Sequence, residues 1–124
     1  MVVLFATQSG GAESLAKDLK EDAAEKGLAA SLHDLATMDV SKLAGLCKTK
    51  PPPALVFIVS TWTGGLAPPA CQPLFAELLK SSGATAKALG ACRFCVYALG
   101  DSVYAADGHF CKAARDLEGW MLGA

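Results

Sequence analysis

The chain has 124 residues, with 11 Lys or Arg against 12 Asp or Glu and a formal charge of −1. That length is one domain's worth and can bury a hydrophobic core. An apolar share of 52% excludes disorder, and the absence of any Lys/Arg run excludes direct nucleic-acid binding by this domain.

Val2 to Thr7 is a continuous apolar run closed by a glycine turn. It predicts a strand buried on both faces, as in a parallel sheet. From Ala12 to Lys26 the period becomes helical. Ala12, Leu15, Ala16, Leu19 and Ala23 share one face, and Glu13 and Lys17 form an i,i+4 pair. Gly27 is a helix stop. Leu28 to Leu35 is a weaker strand of mixed polarity, as an edge strand can be. Asp39 caps a short helix over Val40 to Cys47, with Val40, Leu43 and Ala44 inward.

Ala54 to Ser60 is the strongest strand signal, through Leu55, Val56, Phe57, Ile58 and Val59. A loop runs from Thr61 to Pro69. The third helix spans about Ala70 to Ser81, buries Leu74, Phe75, Leu78 and Leu79, and carries Pro73 in its first turn. Cys92 to Leu99 is a fourth strand, Gly100 to Gly108 a loop, and His109 to Leu122 the last helix. The order is β-α-β-α-β-α-β-α, which implies a parallel sheet with helices on both faces.

Ligands in such folds bind beyond the carboxyl ends of the strands. Three loops leave those ends. The first, from Thr7 to Glu13, opens a helix, and backbone N–H groups at a helix N-terminus bind anions. It has hydroxyls and glycines but no Lys or Arg. A nucleoside triphosphate loop needs a Gly-Lys pair, and a dinucleotide loop needs spaced glycines, whereas Gly10 and Gly11 are adjacent. The loop suits one phosphate monoester. By itself it is equally compatible with a structural turn. The second loop, Ser60-Thr61-Trp62-Thr63-Gly64-Gly65, places an aromatic where solvent is expected. Trp62 either stacks on a flat ligand or folds back onto the domain. The third loop adds Gly100, Asp101, Ser102 and a second aromatic, Tyr104. Together they describe a site for a planar ring joined to a phosphate.

The segments Phe5-Ala6-Thr7-Gln8-Ser9-Gly10-Gly11-Ala12-Glu13, Ser60-Thr61-Trp62-Thr63-Gly64-Gly65 and Leu99-Gly100-Asp101-Ser102-Val103-Tyr104 resemble the FMN-binding loops of the flavodoxin family. The likeness is greatest to the FMN domains of diflavin reductases of the NADPH–cytochrome P450 reductase type and to the flavodoxin domain of tRNA 4-demethylwybutosine synthases. The resemblance implies a three-layer, doubly wound α/β fold with strand order 2-1-3-4 and FMN as cofactor. It assigns Thr7, Gln8, Ser9, Gly10, Gly11 and Ala12 to the phosphate loop, and Trp62 and Tyr104 to the two faces of the flavin ring. Ser60, Thr61, Thr63, Gly64 and Gly65, with Leu99, Gly100 and Asp101, would line the ribityl chain and ring edge, and Phe110 would support the Tyr104 loop. The implied function is electron relay from a reductase domain or protein to a redox acceptor, with Asp101 and Asp107 offering negative charge to a basic partner. Gly11 departs from the threonine common in the family's phosphate loop. The link from Ala105 to Gly108 is about two residues longer than usual by comparison with the family. The family's fifth strand and last helix would follow Gly123-Ala124, so the chain is expected to be one truncated domain, and its fourth strand an apolar edge.

Two other classes share this pattern. A flavin-dependent quinone reductase would need a nicotinamide site, and a degenerate flavodoxin-like contact module would bind no flavin. A phosphoacceptor domain fails, because Thr7, Gln8 and Ser60 stand where its acids belong. The cysteines Cys47, Cys71, Cys92, Cys95 and Cys111 are odd in number and scattered, as reduced thiols of a cytoplasmic protein are. Cys92 and Cys95 have redox-motif spacing but lie on a strand, and they are expected to be core residues. No cysteine cluster suits zinc or iron–sulfur binding. Met1 to Ala6 is too short and uncharged for a signal peptide, and no apolar stretch reaches the ~20 residues of a membrane span. His33 and His109 are expected to be structural.

Overall fold

The computed structural model describes residues 1–7, 10–62, 66–99 and 111–123. Four parallel strands form one sheet: β1 (Val2–Ala6), β2 (Ser31–Asp34), β3 (Leu55–Ser60) and β4 (Phe94–Leu99), in the order β2-β1-β3-β4. The helices are α1 (Gly11–Glu25), α2 (Val40–Leu46), α3 (Gln72–Leu79), α4 (Ala84–Gly90) and α5 (Lys112–Gly123). The predicted strand order and the doubly wound α/β architecture are those observed.

Alternation along β1 and β3 divides the core in two. Leu4, Phe57 and Val59 face a layer built from Val40 and Leu43 of α2, Leu74, Phe75 and Leu78 of α3, Leu89 of α4, and Ala114 and Leu117 of α5. Val3, Phe5 and Ile58 face the other way, against Ala12 and Ala16 of α1. All five residues of β1 are buried, which is why its sequence does not alternate. Burying side chains such as Leu4 and Phe57 contributes about 1.5–3 kcal/mol each against leaving them in water. Trp120 of α5 donates its indole N–H to the Ser81 carbonyl at 3.3 Å, tying the last helix to the end of α3.

The local signals read in the sequence have physical counterparts. Asp39 accepts the Lys42 N–H at 2.8 Å and starts α2. Gly27 adopts φ +78 just after α1, a left-handed conformation that ends the helix. Glu13 and Lys17 meet at 3.3 Å on the exposed side of α1. Pro73 sits in the first turn of α3, after a 3-10 turn at Pro69–Cys71.

Four expectations need correction. A fifth helix, α4, lies where the sequence pattern gave none. It is seven residues long and buries only Leu89, so it carries no amphipathic stripe to detect. The second strand is shorter than Leu28 to Leu35: Leu28 is exposed, and Leu35 begins a 3-10 turn. Asp34 caps that turn by accepting the Ala36 N–H at 2.9 Å, drawing the chain out of the sheet. The fourth strand begins at Phe94, so Cys92 precedes it. Cys92 is buried as expected, but Cys95 is exposed, because β4 is an edge strand and α1 packs mainly on β1, β3 and β2.

Candidate cofactor site

The parallel register aligns the carboxyl ends of three neighbouring strands. Ala6 pairs with Val59, and Ser60 pairs with Leu99. The ladder continues one step further, where the Thr61 N–H donates to the Leu99 carbonyl at 3.0 Å. Thr7, Thr61, Trp62 and Leu99 therefore leave the sheet at one end. Gln8, Ser9, Thr63, Gly64, Gly65, Gly100, Asp101, Tyr104 and Phe110 lie outside the described residues, as do Asp107 and His109.

The turn from β1 into α1 is held by Thr7, whose hydroxyl accepts the Gly10 N–H at 2.9 Å. Gly10 takes φ +92, in the left-handed region where a side chain is disfavoured. It stands at the N-cap of α1 and supplies no side-chain cap. The first intrahelical bond there runs from the Ser14 N–H to the Gly10 carbonyl at 2.9 Å. The N–H groups of Gly11, Ala12 and Glu13 precede that bond, the usual orphan donors of a helix start. Gly11 is exposed, and nothing lies within 4 Å of the position its Cβ would take. Ala12 is fully buried against the sheet and anchors the turn. The result is a backbone surface, free of side-chain bulk, at the positive end of a 15-residue helix.

At the end of β3, the Thr61 hydroxyl is buried and has no hydrogen-bond partner among the described residues. An unsatisfied buried hydroxyl costs about 1–3 kcal/mol, so it calls for a partner. The next residue, Trp62, is 38% exposed. Its N–H donates to the Leu66 carbonyl at 2.7 Å, pinching the base of the loop. Trp62 belongs to neither buried core cluster. Sequence reasoning missed Leu66 as the residue that closes this loop; a backbone acceptor leaves no mark on the sequence.

These features fit a phosphorylated cofactor: an uncapped glycine cradle for the anion, an orphan hydroxyl beside it in the sheet, and a solvent-facing aromatic. Two grooves lie elsewhere. One, of about 300 Å³, runs between α3 and α5 past Phe75, Leu79 and the Lys112–Asp116 ion pair. The other, of about 370 Å³, lies beside α1 and is lined by Leu15, Leu19, Cys95 and Tyr97. Among the described residues, none of the predicted site residues lines either one, although Leu66 borders the first.

The family profile described as flavodoxin matches residues 3–124. The chain belongs to the flavodoxin family. FMN is the cofactor of that family and of this chain as a member of it. The chain is 30% identical over 124 residues to the S-adenosyl-L-methionine-dependent tRNA 4-demethylwyosine synthase of Danio rerio, covering 96% of the chain and 16% of that protein. It is 32% identical over 117 residues to methionine synthase reductase of Bos taurus, covering 94% of the chain and 16% of that protein. It thus spans about a sixth of the length of these relatives. Among solved structures, a flavodoxin of Pseudomonas aeruginosa superposes with a TM-score of 0.72 at 23% identity, covering 96% of this chain and 71% of that one. Oxidised flavodoxin 2 of Bacillus cereus gives 0.73 at 20% identity, covering 98% and 73%. At such identities the flavodoxin structures bear on the fold alone, and they agree with the sheet order described above. No helix among the described residues is long and apolar enough to cross a membrane.

Proposed function

We propose that this flavodoxin domain is an electron-transfer module that holds FMN at the carboxyl end of its sheet and relays electrons from a reductase to an acceptor domain or protein. The observation that carries the reading is the Thr61 hydroxyl, buried without a partner in the same loop as the exposed Trp62 and one strand away from the Gly10 cradle. When bound, FMN supplies the redox chemistry, taking up and giving away electrons. The chain's own part is to bind, orient and shield.

The N–H groups of Gly11, Ala12 and Glu13, with the helix dipole behind them, would hold the phosphate without a cationic side chain. Thr7 already spends its hydroxyl on Gly10, so it shapes the cradle; Gln8 and Ser9 are the remaining side-chain donors of the loop. Thr61 would give its hydroxyl to the ribityl chain. Trp62 would stack on one face of the ring, with Tyr104 on the other. Ser60, Thr63, Gly64 and Gly65, with Leu99, Gly100 and Asp101, would enclose the ribityl chain and ring edge, and Phe110 would back the Tyr104 loop. The methionine synthase reductase likeness supports a reductase as donor. The free state of the described cysteines is compatible with a cytoplasmic setting.

The test is direct. Purified protein titrated into FMN should quench the flavin fluorescence in a saturable way. Flavin that stays fully fluorescent at micromolar protein would overturn the proposal and leave a contact module. NADPH alone should not bleach the bound flavin; bleaching without an added reductase would move the assignment to a quinone reductase.

A further inference from the structure

A short return segment, Leu66 to Pro69, closes the loop that carries Trp62. Two of its carbonyls are tethered. Leu66 accepts the Trp62 N–H at 2.7 Å. Ala67, the next residue, accepts a hydrogen bond from the Gln72 side-chain amide at 3.1 Å. A carbonyl can only accept, so the amide presents its NH2 end, through Nε2. Pro68 and Pro69 follow, and neither has an N–H with which to fasten the segment. Ala67 and Pro68 are buried, whereas Leu66 is exposed.

Gln72 is the first residue of α3, a helix that starts with no side-chain cap. Its side chain reaches back five residues instead. It is half-buried and, with Leu66 and Ala67, borders the groove between α3 and α5. The groove leaves the amide room to swing away, so the hydrogen bond is what keeps it on Ala67. Leu74, Phe75 and Leu78 anchor α3 itself in the core. A core-anchored helix therefore reaches, through one side chain and one peptide unit, the carbonyl that closes the Trp62 loop.

We propose that Gln72 is a positioning residue for the flavin: through Ala67 it fixes the Leu66 carbonyl, and with it the backbone of Trp62. The inference rests on the reading of Trp62 as the residue that stacks on FMN. Gln72 acts through Trp62 rather than on the cofactor. An aromatic on an untethered loop loses freedom when it stacks on a ligand. A loop already held loses less, and binding gains the difference.

The experiment compares the whole chain with Gln72→Met, which keeps the length of the side chain and removes the donor. Without FMN, the Trp62 amide should exchange its hydrogen faster in the variant, read by NMR, while amides of β1 and β3 stay as they were. With FMN, Kd should rise about threefold to tenfold, the scale of one lost hydrogen bond. The saturated complex should quench flavin fluorescence less completely and show a changed visible circular dichroism spectrum. Gln72→Lys, which restores a donor of similar reach, should recover both spectra. In a Trp62→Ala background, Gln72→Met should leave Kd where it was, because no ring remains to position.

A lower urea midpoint with Trp62 exchange and saturated flavin spectra unchanged would make Gln72 a brace of the turn at Pro69–Cys71 and overturn the inference. So would a Gln72→Met effect on Kd that persists in full without Trp62. The wild-type protein gives a reading that depends on no variant's fold. The Gln72 side-chain NH2 should exchange more slowly than a free amide, and equal rates overturn the inference. Wild-type protein that leaves FMN fully fluorescent overturns the electron-transfer reading and this inference together. Normal wild-type binding with an unaffected Gln72→Met overturns this inference alone.

Discussion

At the amino-terminal end of the sheet, the polar atoms are closed off among themselves. Cys47 and Cys92 give their thiols to Leu43 and Ala88, and the surroundings are core. At the carboxyl end they are left open: Gly10 supplies no side-chain cap, the Thr61 hydroxyl has no partner among the described residues, and Trp62 faces solvent. Both ends belong to one sheet and share its core. The contrast shows where the chain leaves its polar groups unsatisfied: not at random, but where three strand ends meet. Asp39 caps α2 with its side chain, whereas α1, α3 and α4 all start without a side-chain cap, so it is the Thr61 hydroxyl that sets the carboxyl end apart.

Substitutions can break or sharpen that contrast. The largest effect should come from the core common to both ends. Phe57→Ala, at a fully buried site on β3, should cost about 3–5 kcal/mol, read as a fall in the urea midpoint. FMN affinity should fall only with the folded fraction. A smaller and opposite pattern is expected for Trp62→Ala. It should weaken FMN binding by about 1–3 kcal/mol in a fluorescence titration, from lost stacking and burial. The urea midpoint should barely move, because Trp62 is exposed. An unchanged affinity would make Trp62 a surface residue only. Gly10→Ala lies between the two kinds. No atom stands in the way of its Cβ, so the cost is the left-handed backbone alone. That amounts to about 1–2 kcal/mol, and it should reshape the anion cradle as well. Gly10→Asn should recover part of the stability, since Asn tolerates that conformation better. Equal stability in all three proteins would remove the argument from φ.

Much of this architecture can be read from the sequence where burial is one-dimensional. The apolar runs of β1 and β3 are continuous because both faces of those strands are covered, and α1 shows its stripe because one face packs on Val3, Phe5 and Ile58. Legibility fails where the third dimension decides. Helix α4 buries one leucine and so has no period. Cys95 looks like core until the sheet ends beside it and leaves it exposed. The cradle was legible because a left-handed turn before a helix favours glycine. The orphan state of Thr61 was not, since threonine at a strand end is common and only the folded surroundings show that its hydroxyl is buried without a partner.

The smallest predicted effect is the sharpest test of the open end. Gly11 is exposed, with unobstructed space around its Cβ position and no positive φ. Gly11→Thr should therefore fit without strain. Threonine is also the better helix residue of the two, so the first turn of α1 should not weaken. If the cradle holds a phosphate, the added hydroxyl supplies one more donor and should tighten FMN binding by about 0.5–1.5 kcal/mol, at most roughly tenfold in Kd. Free riboflavin, which has the ring but no phosphate, should bind both proteins alike. A gain for FMN alone would tie the uncapped helix start to the anion. Equal gains for FMN and riboflavin would mean that threonine stiffens the loop, and the openness of this end would then need another explanation.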